Sequence, residues 1–195
     1  MFDLNQLLTA IGFIGILAII FAETGLFIGF FLPGDSLLFT AGLLASQGIF
    51  DIWALAILAP IMAIAGYALG YWFGGHLGRW LLNQPDRWYF KKTYYDRSKF
   101  FFDTHGGKAL ILARLMPVIR TFVPIVAGVS KMDWRRYTYF NVIGGILWGS
   151  GIPLFGFYLG YAIPNAKEYI FPIVILIVFL SLFPAIWHHI KNKFK

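Results

Sequence analysis

Residues 23–35 read Glu-Thr-Gly-Leu-Phe-Ile-Gly-Phe-Phe-Leu-Pro-Gly-Asp, two carboxylates and a Pro-Gly break inside an otherwise oily run. From Leu4 to Leu44 the chain carries no other charge. An acid at membrane depth is expensive, so Glu23 and Asp35 each ask for a partner or a task. Pro33 lacks a backbone donor and Gly34 relaxes the chain, so a regular helix stops there. A broken helix is tolerated in a bilayer only where protein or a wet cavity covers the freed backbone groups. The reading is therefore a re-entrant hairpin over 7–46: an apolar helix from Leu7 to Ala22, the break at 23–34, and a second short helix over 36–46. The alternative is one long tilted span over 7–31 followed by a loop.

Composition sets the class. The chain has 195 residues, 59% hydrophobic and 19% aromatic, with 13% charged. Soluble domains carry about 25% charged residues, so this is an integral membrane protein forming a single membrane domain over 1–195. Zero Cys removes disulfides, thiolate metal sites and Cys nucleophiles. The net charge of +7 fits loops that face anionic lipid rather than a nucleic-acid partner.

The basic residues are unevenly spread. None occurs in 1–78, seven fall between Arg79 and Lys108, then Lys131, Arg135 and Arg136, and finally Lys191, Lys193 and Lys195. The positive-inside tendency places these clusters in the cytoplasm. The C-terminus is then cytoplasmic and the N-terminus outside. No secretory signal is expected, because Asp3 stands where a positive n-region belongs.

Outward from the first hairpin, 52–78 reads as a spanning helix. Its Gly66-x-x-x-Gly70-x-x-x-Gly74 stripe suits close packing, within the chain more than between copies. Residues 85–104 form an interfacial amphipathic helix, with Phe90, Tyr94 and Phe101 on one face and Lys92, Asp96, Lys99 and Asp103 on the other. His105-Gly106-Gly107 ends it. A second oily stretch, 109–129, holds Arg114 and Arg120 with Pro117 midway, then Pro124. It reads as a second re-entrant hairpin. The stretches 137–161 and 170–188 are further spans, the first carrying Asn141 and Trp148. The fold class is all-α: two re-entrant hairpins of opposite orientation meeting at mid-membrane, about three spans and one interfacial helix.

The chemistry follows from the charges. Arg114 and Arg120 offer planar, always-charged donors matched to phosphate oxygens. Glu23 and Asp35 in low dielectric can carry protons. Gly25, Pro33, Gly34, Pro117 and Pro124 shape the backbone around them. Asn141 is placed to bond freed backbone of the second hairpin, and Trp148 to wall the pocket or simply to pack. His188-His189 sits at a helix end beside lysines, so no metal is assigned, and no cofactor. No Ser-His-Asp set, P-loop, HExxH or dinucleotide fingerprint occurs, and no nucleophile has an adjacent base, so the chain is not read as an enzyme.

These residues carry a resemblance. Glu23-x-Gly25, Phe31-Leu32-Pro33-Gly34-Asp35-Ser36, His105-Gly106, Arg114-x-x-Pro117-x-x-Arg120-x-x-x-Pro124-x-x-Ala127-Gly128, Met132, Phe140-Asn141, Gly144 and Trp148 stand in this order over roughly 15–160. In this the chain resembles the DedA family of bacterial inner-membrane proteins, related to the eukaryotic VTT-domain lipid scramblases. The resemblance implies an inverted repeat of two hairpins. It also implies a multi-pass inner-membrane protein that moves undecaprenyl phosphate, a polyprenyl-phosphate carrier, in a manner dependent on the proton gradient. Three other readings use the same residues: a proton-coupled small-cation or drug antiporter, an uncoupled phospholipid scramblase, and a buried ion network that only holds the hairpins together. The partners expected are a polyprenyl phosphate or another anionic phospholipid, protons and the membrane.

Overall fold

A computed structural model describes residues 4–26, 34–82, 100–114 and 116–162. Among these residues every regular element is a helix. They are α1 (Leu4–Gly25), α2 (Gly34–Ser46), α3 (Ile52–Leu82), α4 (Lys108–Arg114), α5 (Pro117–Val129) and α6 (Trp134–Ala162), with a helical segment over 100–105 before α4. Two of them, Ile52–Leu77 within α3 and Trp134–Ala162, are long and apolar enough to cross a membrane. The expected span over 170–188 and all but the end of the expected interfacial helix over 85–104 lie outside the described residues. So does Pro33.

Local chemistry sets the boundaries. The first helix was expected to stop at Ala22, yet α1 runs on to Gly25 and takes Glu23 into its last turn. The charge does not end the helix because Glu23 finds an ion-pair partner, and the Thr24 hydroxyl donates to the Phe21 carbonyl of the preceding turn. Gly34 opens α2 and Asp35 sits in its first turn, where an acid suits the helix dipole. The helix closes on Gly48 at φ 77°, with Gly48 N–H donating to Ala45 O and Ile49 N–H to Leu44 O. This is the Schellman pattern, which needs a left-handed residue and normally takes glycine. The Asp51 carboxylate accepts from the amides of Trp53 and Ala54 and so caps α3. Asp133 does the same for α6 through the Arg136 amide. Pro117 stands at the first position of α5, where its missing donor does no harm.

The chain divides into two compact units. The first comprises 1–20, 31–59 and 149–195, and the second 21–30 and 60–148. In the first, α2 and α6 touch backbone to backbone. A methyl on Gly42 would run into the Pro153 carbonyl, and one on Gly156 into the Phe39 carbonyl. Pro60 deprives the Ala56 carbonyl of its usual donor, and the Ser150 hydroxyl supplies one at 2.6 Å. The second unit is built around Tyr67, Leu110, Ala113, Val123, Ala127, Met132 and Tyr137, and α4 and α5 pack on each other within it. The stripe on α3 works inside the chain here. Gly66 lies against Thr24 and Gly25, Gly70 against Pro124, and Gly74 against the Ile125 carbonyl.

Polarity is inverted relative to a soluble domain. Trp53, Ile57, Ile61, Trp72 and Phe73 of α3 and Leu147, Phe155 and Tyr158 of α6 are exposed, while Glu23, Arg114 and Arg120 are buried. Large apolar groups outside and charges inside are what a lipid solvent selects.

Candidate functional site

The site lies within the second unit, where α1 ends, α4 gives way to α5, and α3 and α6 supply the walls. Arg114 is the last residue of α4 and Arg120 stands in the first turns of α5, so the two arginines belong to different helices. Met116 is extended, which ends one helix and lets the next start on a new axis.

Arg120 forms an ion pair with Glu23, 97 residues earlier, through Nη2 and Oε1. Glu23 is 1% exposed and Arg120 6%. The Arg120 guanidinium also lies 5.1 Å from the centre of the Trp148 ring, within cation–π range. Trp148 is thus a wall of this site. Pro124 removes the donor that the Arg120 carbonyl would receive in a regular helix. The Tyr67 hydroxyl donates to that carbonyl at 2.9 Å instead.

Arg114 is 3% exposed and is held differently. Its guanidinium lies 3.8 Å over the Tyr67 ring. Its Nη2 donates to Asn141 Oδ1. Asn141 in turn donates through Nδ2 to the Ile64 carbonyl at 3.0 Å. Asn141 was expected to bond freed backbone of the second hairpin. It bonds α3 and an arginine side chain, because α6 runs between the two. Nε and Nη1 of Arg114 have no hydrogen-bond partner, and no carboxylate among the described residues pairs with this arginine. Gly144 and Gly145 face it from α6, and a methyl on Gly144 would crowd its Cδ and Nε.

The remaining expected residues fall as follows. Gly25 lies against the backbone of Gly66, Pro124 is fully buried against Gly70, and Pro117 starts α5. Gly34 is buried at the start of α2. Asp35 is half-buried in the first turn of α2 and belongs to the first unit.

Tyr67 and Tyr137 were not foreseen. Tyr67 presents its ring to one arginine and its hydroxyl to the backbone of the other, and Tyr137 donates to the Tyr67 carbonyl at 2.7 Å. The signal available was a tyrosine directly beside Gly66 of the small-residue stripe on a span. A phenol at membrane depth needs an acceptor.

Among the described residues, the second unit's interior thus holds two guanidinium groups, one carboxylate paired with one of them, and two unpartnered donors on the other. A buried charge left short of partners costs several kcal/mol. An anion with several acceptor oxygens would satisfy it, and phosphate suits the planar fork of an arginine.

A family model described as the VTT domain matches residues 32–161. An uncharacterized membrane protein of Mycobacterium leprae is 42% identical over 180 residues, 91% of this chain and 80% of that protein. Protein DedA of Escherichia coli K12 is 39% identical over 177 residues, covering 90% of this chain and 80% of its own length. The inner membrane protein YghB of the same strain is 39% identical over 156 residues, 78% of this chain and 69% of its own. No solved structure matches the chain.

Proposed function

This chain belongs to the VTT-domain family, and on that premise we propose that it is a transporter of a polyprenyl-phosphate lipid such as undecaprenyl phosphate across the bacterial inner membrane, dependent on the proton gradient. The observation that carries this reading is Arg114, buried with two unpartnered donors beside a second arginine.

Arg114 takes the phosphate first, because its Nε and Nη1 are open to an acceptor. Asn141 and the Tyr67 ring hold the guanidinium in place, so little rotamer freedom is lost on binding. Arg120 joins when a proton neutralises Glu23 and the ion pair opens. Proton and phosphate then favour the same state, which is the condition for coupling. When Glu23 gives up its proton it competes again for Arg120 and weakens the hold on phosphate. Asp35, at the start of α2, is the second proton carrier. The lipid tail stays among the exposed apolar side chains, in the bilayer. No bond is made or broken, so the protein acts as a carrier rather than an enzyme.

The test is translocation of polyprenyl phosphate in proteoliposomes with an imposed pH gradient. Arg114→Gln should lower phosphate-lipid affinity by about tenfold or more, the loss expected of a charge-assisted hydrogen bond. Glu23→Gln should leave binding in place and remove the response to the gradient. Full translocation in Arg114→Gln would overturn the assignment.

A further inference from the structure

A cavity whose lining includes none of the interior arginines lies at the ends of the two candidate spans. It is an open groove of about 500 Å3 lined by Tyr71, Trp72, Gly75 and His76 of α3, Gly128 of α5, and Lys131 of the turn into α6. Residues 71–76 fall at the C-terminal end of the apolar stretch Ile52–Leu77, and Lys131 directly precedes the stretch Trp134–Ala162. The groove therefore sits where two spans reach the same boundary of the apolar layer. Exposed Trp72 and Trp134 mark that level, as tryptophans do at membrane–water interfaces. Arg135 and Arg136, four and five residues after Lys131, are exposed.

Its floor and wall are fixed. Gly74, Gly75 and Gly128 bring the backbones of α3 and α5 into contact, and a methyl on Gly128 would strike the Tyr71 carbonyl. The Tyr71 hydroxyl donates to the Met132 carbonyl, and its ring packs 4.3 Å from Tyr137 and 5.2 Å from Trp134. His76 Nδ1 lies 2.8 Å from the Trp72 carbonyl. A carbonyl only accepts, so Nδ1 donates to it, and Nε2 is the ring's other hydrogen-bonding atom.

Lys131 is the unusual residue. It ends α5 in a Schellman motif: Lys131 N–H donates to Gly128 O, and Met132 N–H to Ala127 O. Its φ is 54°, and it is the one non-glycine residue with positive φ among those described. The same motif closes α2 on Gly48. A lysine in that conformation is strained where glycine is not, and an outlier of this kind is a reason to look for a task.

We propose that this groove is a binding site for the headgroup of an anionic phospholipid with a hydroxyl-bearing headgroup, such as phosphatidylglycerol. The Lys131 ammonium meets the phosphate, His76 Nε2 hydrogen-bonds a headgroup hydroxyl, and Trp72 covers the glycerol backbone. Charge complementarity selects this occupant: a basic, aromatic-walled groove at headgroup depth faces lipids that carry phosphate there. The site does not depend on the transport reading.

The test counts lipids on the purified full chain by native mass spectrometry, with phosphatidylglycerol or phosphatidylcholine added. One phosphatidylglycerol should bind to the wild type more tightly than phosphatidylcholine does. Lys131→Gly should weaken that binding by about tenfold or more while raising the melting temperature, because glycine relieves the left-handed position. A loss of binding with a gain in stability is not what a structural lysine would give. His76→Leu should weaken phosphatidylglycerol in the same direction. Unchanged phosphatidylglycerol binding in Lys131→Gly, equal binding of phosphatidylcholine by the wild type, or loss confined to a parallel Arg114→Gln would each overturn the proposal.

Discussion

Glu23 and Arg120 show how a charge survives in oil. Each is buried, and each would be costly alone. Removing one partner strands the other, so Glu23→Gln and Arg120→Gln should each lower stability by about 3–5 kcal/mol. The double variant should recover much of that loss, because no charge is then left unpaired. Thermal unfolding in detergent, arranged as a double-mutant cycle, reads this directly. A double variant as damaged as the sum of the singles would mean that the pair acts through other neighbours and not through mutual neutralisation.

At the level of the helix, prolines and hydroxyls act together. Pro60 frees the Ala56 carbonyl and Ser150 bonds it; Pro124 frees the Arg120 carbonyl and Tyr67 bonds it. The carbonyls that these prolines free are therefore satisfied by a neighbouring helix. Tyr67→Phe should cost about 1–2 kcal/mol by leaving that carbonyl unsatisfied. In a Pro124→Ala background the helix regains its own donor, and the same Tyr67→Phe change should cost much less. Glycines divide by what surrounds them. Gly42→Ala and Gly74→Ala press a methyl onto the carbonyls of Pro153 and Ile125, so each should destabilise by about 1–3 kcal/mol. Gly15 and Gly151 have nothing within 4 Å of such a methyl, and Gly15→Ala and Gly151→Ala should stabilise by about 0.5–1 kcal/mol through helix propensity. Melting temperatures of the four variants decide the matter.

For the molecule as a whole, the oily composition was enough to place the chain in a membrane, and the few charges inside it were enough to mark Glu23, Asp35, Arg114 and Arg120 as candidates, but not to say that Glu23 pairs with Arg120. Glycine spacing on α3 foretold close packing, since small residues at every fourth position leave one face of a helix bare. What was hidden depends on partners far apart in sequence. Nothing local to Tyr67 announces that its hydroxyl serves a carbonyl 53 residues later. The extension of α1 through Glu23 was hidden for the same reason: the acid reads as a stop until its counter-charge is known. Lys131 gave no warning either, because a left-handed lysine looks like any basic loop residue until its φ is seen.

The distance in sequence between Glu23 and Arg120 bears on how the protein is made. A ribosome adding residues at about 5–20 per second needs roughly 5 to 20 seconds to synthesise the stretch between them. For that interval the first helix exists while its counter-ion does not. Glu23 must enter the bilayer neutral, or the insertion machinery must shelter α1 until α5 arrives. Nascent chains halted short of residue 120 are therefore the ones that quality-control proteases at the membrane should clear first.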